Sequence, residues 1–420
     1  MTDKNQHIPQ GYKDSPLGII PEDWEVKRLG EIGEVLMCKR IMKYQTNSCG
    51  DIPFFKIGTF GGTPDAYISR ELYDEFKAKY SYPKVGDVLI SAAGTIGRSV
   101  IFDGTPSYYQ DSNIVWIDND NKQLLNKYLY YYYSTINWIT DTGTIPRLYN
   151  GALRAIQIPT PPIAQQKRIV SFLELWDTTI SKQTALIEKL ILRKRGLMQQ
   201  LLTGKKRLKG FEGKCKEVRL GECGKFLSNN TLSREQLNES GGIVQNIHYG
   251  DVLIKYPSII DCSKATLPFI NEFAYKESMT DFVKNGDIVI ADTAEDETVG
   301  KACEVQNIGT KKILAGLHTM LFRPNEGLFS PFFLGYYINS EVYHSNLIPL
   351  IQGIKVCSIG KQAIQNTTIT IPSINEQTAI ASVLVNSDKE IELAKQKLSS
   401  LQEQKKGLMQ VLLTGKKRIK

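Results

Sequence analysis

This chain of 420 residues has few of the side chains that build metal or redox centres. It contains four histidines, and its seven cysteines, at positions 38, 49, 215, 223, 262, 303 and 357, are odd in number and include no C-x-x-C pair. Neither a disulfide framework nor a zinc site is expected from such scattered cysteines. No apolar run approaches the ~18 residues that span a membrane, and the polar opening MTDKNQHIPQGYKD lacks the apolar core of a signal peptide. We therefore expect a cytoplasmic protein.

Motifs for nucleotide or methyl-donor binding are also missing. The glycine clusters at 58–62 and 94–97 have neither the spacing nor the lysine of a phosphate-binding loop. No glycine-rich turn with a later acidic partner suggests a dinucleotide or methyl-donor site, so we expect no cofactor on this chain. One superficial match, Pro64-Asp65 followed by Glu75-Phe76-Lys77, fits the pattern of metal-dependent nucleases, but residues 70–80 look helical and charged and the pattern occurs once. A nuclease centre there is the weaker interpretation.

An internal repeat dominates what is present. The stretch Lys194–Lys209 returns as Lys405–Lys420, with thirteen of sixteen positions identical at an offset of 211 residues. The phrase at 28–33, RLGEIG, likewise returns at 219–224 as RLGECG. Internal similarity at a fixed offset indicates duplicated structural units, so the chain is predicted to consist of two copies of one unit.

A heptad pattern runs through the residues before each copy of the repeated stretch and continues into its first half. Its apolar seam positions are Ile169, Leu173, Trp176, Ile180, Ile187, Leu190, Leu197 and Leu201 in the first copy, and Ile380, Leu384, Ile391, Leu398, Leu401, Leu408 and Leu412 in the second. Such a seam predicts coiled-coil helices at about 164–202 and 375–413, each roughly 58 Å long at about 1.5 Å per residue. Prolines before and glycines after them support these ends. Two copies of one seam could pair antiparallel as a spacer; packing in an ordinary bundle core is the alternative.

The remaining pattern predicts an α+β fold with two globular mixed α/β domains separated by the two helices. Short strands are expected at 52–58, 87–91, 99–102 and 114–117, and tyrosine-rich helices at 123–137 and 330–340. Aromatic residues at helical spacing favour core packing over stacking on bases. The predicted boundaries are a tail at 1–20, the first globular domain at 21–160, the first helix region at 161–209, the second globular domain at 210–371 and the second helix region at 372–420.

The net charge of +8 and the pI near 8.9 are compatible with a polyanionic partner. The basic runs after each helix, at 205–209 and 416–420, could contact nucleic acid or simply compensate the helix dipole. Loops carrying side chains that can contact base edges or phosphates give a set of candidate DNA-binding residues: Lys39, Arg40, Lys56, Thr59, Thr95, Arg98, Tyr109, Gln110, Asn113 and Arg147 in the first domain, and Asn246, His248, Thr293, Thr298, Lys301, His318 and Lys355 in the second.

The order of these parts resembles the specificity subunit of type I DNA restriction–modification enzymes. The matching text is GYKDSPLGIIPEDWEVKRLGEIG at 11–33, IPTPPIAQQKRIVSFLELWD at 158–177 with its copy IPSINEQTAIASVLVNSD at 371–388, and the GLMQQLLTGKKR ending at 196–207, which returns at 407–418. The resemblance covers essentially the whole chain.

The resemblance implies a subunit with no catalytic centre. Its two target-recognition domains would each recognise half of a split double-stranded DNA sequence, and its paired helices would set the gap and bind two methyltransferase subunits. S-adenosylmethionine would be held by those subunits, and ATP and Mg by restriction subunits that join them. Two other classes stay open: a fused nuclease or methyltransferase with a degenerate motif, and a helical scaffold that binds only protein.

Overall fold

The structure, a computed structural model, describes residues 8–138 and 147–419. These residues form two compact units: unit 1 comprises 1–184 and 397–420, and unit 2 comprises 185–396. Both boundaries fall inside the long helices. Each unit therefore contains a globular part, the N-terminal half of one long helix and the C-terminal half of the other. Residues 1–7 of the predicted tail lie outside the described residues, and the predicted domain limits stay a prediction.

The helices include two that are far longer than the rest. The α-helices of the described residues are α1 (Leu29–Ile32), α2 (Arg70–Lys79), α3 (Asn126–Tyr133), α4 (Asn150–Ala155), α5 (Ile163–Leu201), α6 (Tyr249–Ile254), α7 (Phe333–Ile338), α8 (Glu341–Leu347), α9 (Lys361–Gln365) and α10 (Ile374–Leu412). Helices α5 and α10 have 39 residues each, and both lie within one residue of their predicted limits. Gly204 and Gly415, shortly after their ends, adopt φ values of 68° and 73°, the left-handed conformation that commonly terminates a helix.

All of the predicted seam residues are buried or half-buried. The buried ones are Ile169, Leu173, Ile187, Leu190, Leu201, Ile380, Leu384, Ile391 and Leu412, and the half-buried ones are Trp176, Ile180, Leu197, Leu398, Leu401 and Leu408. By contrast, Leu175, Leu192 and Leu393 on the same helices are 62%, 66% and 65% exposed. The helices are thus amphipathic with the stripe that the heptads predict.

Unit 1 is built on a four-stranded and a three-stranded sheet. Its strands are β1 (Tyr12–Lys13), β2 (Ile20–Pro21), β3 (Glu25–Arg28), β4 (Val35–Met37), β5 (Ile52–Phe55), β6 (Tyr67–Ile68), β7 (Val88–Ser91), β8 (Ser99–Ile101), β9 (Tyr108–Tyr109), β10 (Ile114–Ile117) and β11 (Gln157–Thr160). The larger sheet has the order β4-β10-β7-β8 and the smaller one β6-β5-β9; β3 pairs with β11 and β1 with β2. The central strands β7 and β10 are buried throughout, as apolar strands covered on both faces should be.

Unit 2 repeats this plan with additions. Its strands are β12 (Lys216–Arg219), β13 (Gly224–Leu227), β14 (Leu237–Asn238), β15 (Val244–Ile247), β16 (Ile259–Asp261), β17 (Phe269–Ile270), β18 (Ile288–Ala291), β19 (Thr293–Ala294), β20 (Ala302–Gln306), β21 (Lys312–Ala315), β22 (Thr319–Pro324), β23 (Cys357–Ser358) and β24 (Thr368–Ile371). The larger sheet, β13-β22-β18-β20-β16, is that of unit 1 plus β16, and the smaller one is β14-β17-β15-β21. The duplication predicted from the sequence is therefore confirmed in the sheet topology.

The tyrosine-rich helices pack into the cores, as predicted. In unit 1, Tyr128 and Tyr133 are fully buried in a cluster with Trp24, Leu173 of α5 and Leu412 of α10. In unit 2 the equivalent cluster joins α7 to both long helices. Each globular part is thus fixed to its own portion of the helices by a continuous apolar core.

A repeated polar contact accompanies this packing. In unit 1 the Tyr131 hydroxyl donates to Asp177 Oδ2 at 2.6 Å, Lys405 pairs with Asp177, and the Lys405 ammonium lies 5.1 Å from the Tyr131 ring centre. We call this set triad 1.

Unit 2 repeats the contact with Tyr336, Asp388 and Lys194, which we call triad 2. The Tyr336 hydroxyl to Asp388 Oδ2 distance is 2.6 Å, the Lys194 Nζ to Asp388 Oδ1 distance is 2.5 Å, and the Lys194 ammonium lies 5.1 Å from the ring centre. In unit 2 the helix segments run antiparallel, because Lys194 pairs with Asp388 whereas Arg207, later in the chain, pairs with Glu376, earlier in the chain.

Candidate nucleic-acid interface

In unit 1 the strand register brings two of the loops together. Strands β4 and β10 are antiparallel, with Met37 opposite Val115. The same register, continued past the strand ends, places Arg40 opposite Ser112 and beside Asp111. The Arg40 Nε donates to Asp111 Oδ2 at 2.9 Å. An arginine that follows β4 is thus held by a carboxylate that precedes β10, the strand paired with β4.

A cleft of about 530 Å³ opens beside this pair. Its lining includes Arg40, Lys43, Lys56, Gln110, Asn113 and Arg147. Five of these six were predicted from the sequence as DNA-binding candidates; Lys43 and the carboxylate of Asp111, which also lines the cleft, were not. Four cationic side chains and two amides around one carboxylate give a surface suited to phosphate oxygens and base edges.

Local hydrogen bonds fix the polar groups of this cleft. Gln110 Oε1 accepts the Ile57 backbone N–H at 3.0 Å, and Thr59 Oγ1 accepts that of Lys56 at 3.2 Å. Lys56 itself pairs with Asp65 at 2.9 Å, which offsets part of its charge. The side-chain oxygen of Gln110, Oε1, is therefore engaged, while its side-chain NH₂ group can donate.

A neighbouring loop reaches the cleft through a bridge between Ala93 and Arg147. In this loop Gly97 has φ of +85°, and a Cβ there would lie 2.0 Å from Trp138 Nε1, so only glycine fits. Thr95 and Arg98 are exposed, and Arg98 donates one Nη1 hydrogen bond to the Phe60 carbonyl at 2.9 Å.

Two of the unit 1 candidates face elsewhere. The Lys39 ammonium lies 5.1 Å from the Tyr80 ring centre, and Tyr109 is buried with its hydroxyl 2.9 Å from Ser107. Burial raises the pKa of Tyr109 to about 12. Tyr109 therefore supports the sheet beneath the cleft and does not line it.

In unit 2 three candidates meet at the equivalent sheet edge. Thr293 Oγ1 lies 3.2 Å from His318 Nδ1, and Asp292 Oδ1 lies 3.3 Å from the same nitrogen. The Tyr249 ring lies between two histidine rings, with centroids 4.7 Å from His248 and 5.3 Å from His318. His318 is half exposed and has φ of 53°, an uncommon conformation for a residue other than glycine.

His248 also shapes its loop. Its Nδ1 accepts the Gly250 backbone N–H at 3.2 Å and so caps α6. Burial, with the nearby Arg234 guanidinium, lowers the pKa of His248. A neutral ring is consistent with the acceptor role of Nδ1.

The other unit 2 candidates are not gathered at this edge. Asn246 is fully buried and donates to Asn230 Oδ1 at 3.2 Å. Lys301 donates to the Leu253 carbonyl at 2.6 Å, and burial lowers its pKa. Thr298 closes a turn on Asp296, and Lys355 is exposed at the tip of a hairpin whose base pairs with β19.

The nuclease-like residues do not converge. Asp65 pairs with Lys56, whereas Glu75 pairs with Lys79 one turn along α2 at 2.9 Å. Among residues 8–138 and 147–419, no group of three or more histidine, cysteine, aspartate or glutamate side chains is arranged to hold a metal ion. In the same residues, no helix is both long and apolar enough to cross a membrane.

The duplicated fold and its two polar sheet edges define a two-part binding protein. A family model, described as the type I restriction modification DNA specificity domain, matches the chain twice, at residues 21–191 and 212–403. The chain therefore belongs to this family, and each half carries a DNA specificity domain.

Individual relatives agree with this assignment. Over 174 residues the chain is 59% identical to a Haemophilus influenzae protein assigned as a type I restriction enzyme specificity subunit; the match spans 41% of this chain and 45% of that protein. It is 25% identical over 422 residues to the type I restriction enzyme MjaVIII specificity subunit of Methanocaldococcus jannaschii, covering 96% of this chain and 94% of that one.

A solved structure supports the fold. A chain from a study of complex assembly and conformational transition in the type I restriction–modification system superimposes with a TM-score of 0.60 at 16% identity, covering 94% of this chain and 99% of that chain.

Proposed function

We propose that this chain is the DNA specificity subunit of a type I restriction–modification complex and that each unit recognises one half of a split double-stranded DNA sequence. The observation that carries the proposal is a difference at one place in a shared fold. Unit 1 presents Arg40 and Asp111 where β4 ends and β10 begins. Unit 2 presents the exposed Asn229 and His318 where β13 ends and β22 begins, and the Asn229 amide donates to the Gly316 carbonyl at 3.1 Å.

These side chains offer different hydrogen-bonding groups to DNA. An arginine donates only, whereas an asparagine both donates and accepts. Base pairs differ in their major-groove donors and acceptors. Two edges with the same backbone plan and different polar groups therefore suit two different half-sites.

In the same proposal the long helices set the gap between the half-sites. Each has 39 residues, and their polar anchoring residues are repeated in the two units as triads 1 and 2. Exposed apolar side chains on their outer faces, including Leu175, Leu186 and Leu192 of α5, would bind two methyltransferase subunits. Apolar side chains that remain exposed on a helix can be covered by a protein partner.

Catalysis and cofactors belong to the partners in this proposal. S-adenosylmethionine would be bound by the methyltransferase subunits, and ATP and Mg by restriction subunits. The chain would act on cytoplasmic DNA without chemistry of its own. Its basic residues, 52 against 44 acidic ones, would contribute phosphate contacts that weaken as salt rises.

Adenine-methylation mapping tests the proposal directly. DNA from cells that express the chain with its methyltransferase would be compared with DNA from cells that lack the chain. We expect a split motif with a fixed gap only when the chain is present. An assembled complex whose methyltransferase is active with another specificity subunit, yet which produces no such motif, would contradict the proposal and favour a scaffold that binds only protein.

A further inference from the structure

The Arg40 side chain is held in place by a hydrogen bond although most of it is exposed. It is 66% exposed, whereas Asp111, which accepts its Nε–H at 2.9 Å, is only 14% exposed. In the part of the chain that the structure describes, the terminal Nη groups of Arg40 have no hydrogen-bond partner. Asp111 therefore orients the guanidinium through its Nε–H, and the two terminal Nη groups are available to bind DNA.

The Asp111 carboxylate also accepts the Ser112 hydroxyl at 3.4 Å, and the backbone around it forms a tight turn. Asp111 begins the short turn before β10, where the Asn113 N–H donates to the Asp111 carbonyl at 2.7 Å and Ser112 adopts φ of 60°. Holding one long side chain in place before binding removes part of the entropy cost of binding. An exposed ion pair adds little to the stability of the fold. The main effect of this pair is therefore to fix the orientation of the Arg40 guanidinium.

The available donors match one base. Guanine presents two acceptors, O6 and N7, in the major groove, and two parallel N–H groups of an arginine satisfy both. Adenine presents one donor and one acceptor there, cytosine presents a donor, and thymine presents one acceptor beside its methyl group. None of these three bases therefore offers two acceptor atoms to the end of an arginine. Lys43, Lys56 and Arg147 around the same cleft supply cations for the flanking phosphates.

We infer that Arg40, oriented by Asp111, recognises a guanine in the half-site that unit 1 reads. The inference rests on the proposed function and assigns one base contact within it. Asp111 acts through Arg40 and is a positioning residue.

Atom-level substitution in the DNA provides the first test. The purified complex of the full chain with its methyltransferase would bind duplexes in which each guanine of the target is replaced in turn by 7-deazaguanine, which lacks the N7 acceptor. We expect one position at which affinity falls by about 2- to 12-fold, because the replacement removes one of the two hydrogen bonds of a bidentate contact whose full loss costs about 5- to 150-fold. The same replacement should have little effect on a complex that carries Arg40→Ala.

Methylation mapping of variants provides the second test. Arg40→Ala and Arg40→Met, which keeps the bulk and removes the donors, should both accept other bases at that one position. Asp111→Asn should relax it partly, because a neutral amide holds the guanidinium less firmly. Arg154→Ala is the matched control: Arg154 forms an exposed ion pair with Glu34 at 3.0 Å in the same unit and should leave the motif unchanged.

The outcomes separate the inference from the function on which it rests. A wild-type complex with no split motif would refute the proposed function. A split motif that is identical in Arg40→Ala and wild type, or a 7-deazaguanine effect that persists in Arg40→Ala, would overturn the inference. Relaxation at a position occupied by another base would overturn it too. Because the 7-deazaguanine scan uses the wild-type protein, it decides the N7 contact even where a variant assembles poorly.

Discussion

Replacing Asp177 with alanine should loosen unit 1 and leave unit 2 intact. Asp177 is the acceptor of triad 1: it takes the Tyr131 hydroxyl at 2.6 Å and pairs with Lys405. Asp388 has the same position in triad 2, with Tyr336 and Lys194. The chain thus contains its own matched control, because the same substitution can be made in either unit.

The expected size follows from the surroundings of the three groups. Tyr131 is 5% exposed, so alanine at 177 leaves a nearly buried hydroxyl without its charged acceptor, which typically costs about 1.5–3 kcal/mol. The Asp177 side chain is 47% exposed and the Lys405 side chain 16%. Solvent therefore screens the ion pair, which adds only about 0.5–1 kcal/mol. We expect a total of about 2–4 kcal/mol.

Hydrogen exchange on the folded protein, resolved by peptide, measures this loss in each unit separately. Asp177→Ala should raise exchange in α3 and the first half of α5, and Asp388→Ala in α7 and the first half of α10. Tyr131→Phe should cost about half as much as Asp177→Ala, because it removes one hydrogen bond and keeps the ion pair. A loss below about 0.5 kcal/mol, or equal losses in both units from one substitution, would refute the reasoning.

Three further predictions concern a buried charge, pH and helix length. Arg323→Ala should destabilise unit 2 by about 3–5 kcal/mol in urea unfolding, because Asp287, 2% exposed, would lose a partner at 2.6 Å. An equal loss from Lys264→Ala, whose partner Asp261 is 34% exposed, would contradict this. The lowered pKa of His248 means that the unfolded chain binds the proton more readily. Stability should therefore fall as pH drops below about 6.5, and His248→Asn, which keeps a capping acceptor, should flatten that slope; an unchanged slope would argue against it. Deleting one heptad from both long helices, 181–187 and 392–398, removes about 10 Å of helix at about 1.5 Å per residue. The gap between the half-sites should therefore shorten by about 3 base pairs. An unchanged gap with folding intact would contradict the spacer role.

The long helices were predictable because their pattern is local and repeated. A heptad seam with a proline before it and a glycine after it locates a helix from neighbouring residues alone, and both helices begin and end within one residue of expectation. The triads were missed because their partners are distant in sequence. A hint was nevertheless present: Asp177 and Lys194 recur as Asp388 and Lys405 at the repeat offset of 211.

The candidate interface was predictable in composition and not in arrangement. Loop chemistry selected Arg40 and Arg147, but only the β4–β10 register and the bridge to Ala93 place them at one cleft. Asn246 shows the converse. Its residue type suits base contacts, yet it lies in β15, which is buried throughout, and its amide joins an internal network with Asn230. Residue type cannot tell whether a short strand is covered on both faces.

In each unit the candidate DNA-contacting residues differ from the residues that attach the globular part to the long helices. Substitutions in the two sets should therefore have different effects. The triads use the same three residue types in both units, whereas the sheet edges carry Arg40 with Asp111 in one and His318 with Asp292 in the other. Arg40, Asp111, Asp292 and His318 are not members of the cores or triads that join α3 and α7 to the long helices. Substituting them should therefore leave those contacts in place. A substitution in a triad removes no donor or acceptor from the edge. Loss of base preference with intact assembly should therefore follow from changes such as Arg40→Ala, and loss of local stability without a new preference from changes such as Asp177→Ala.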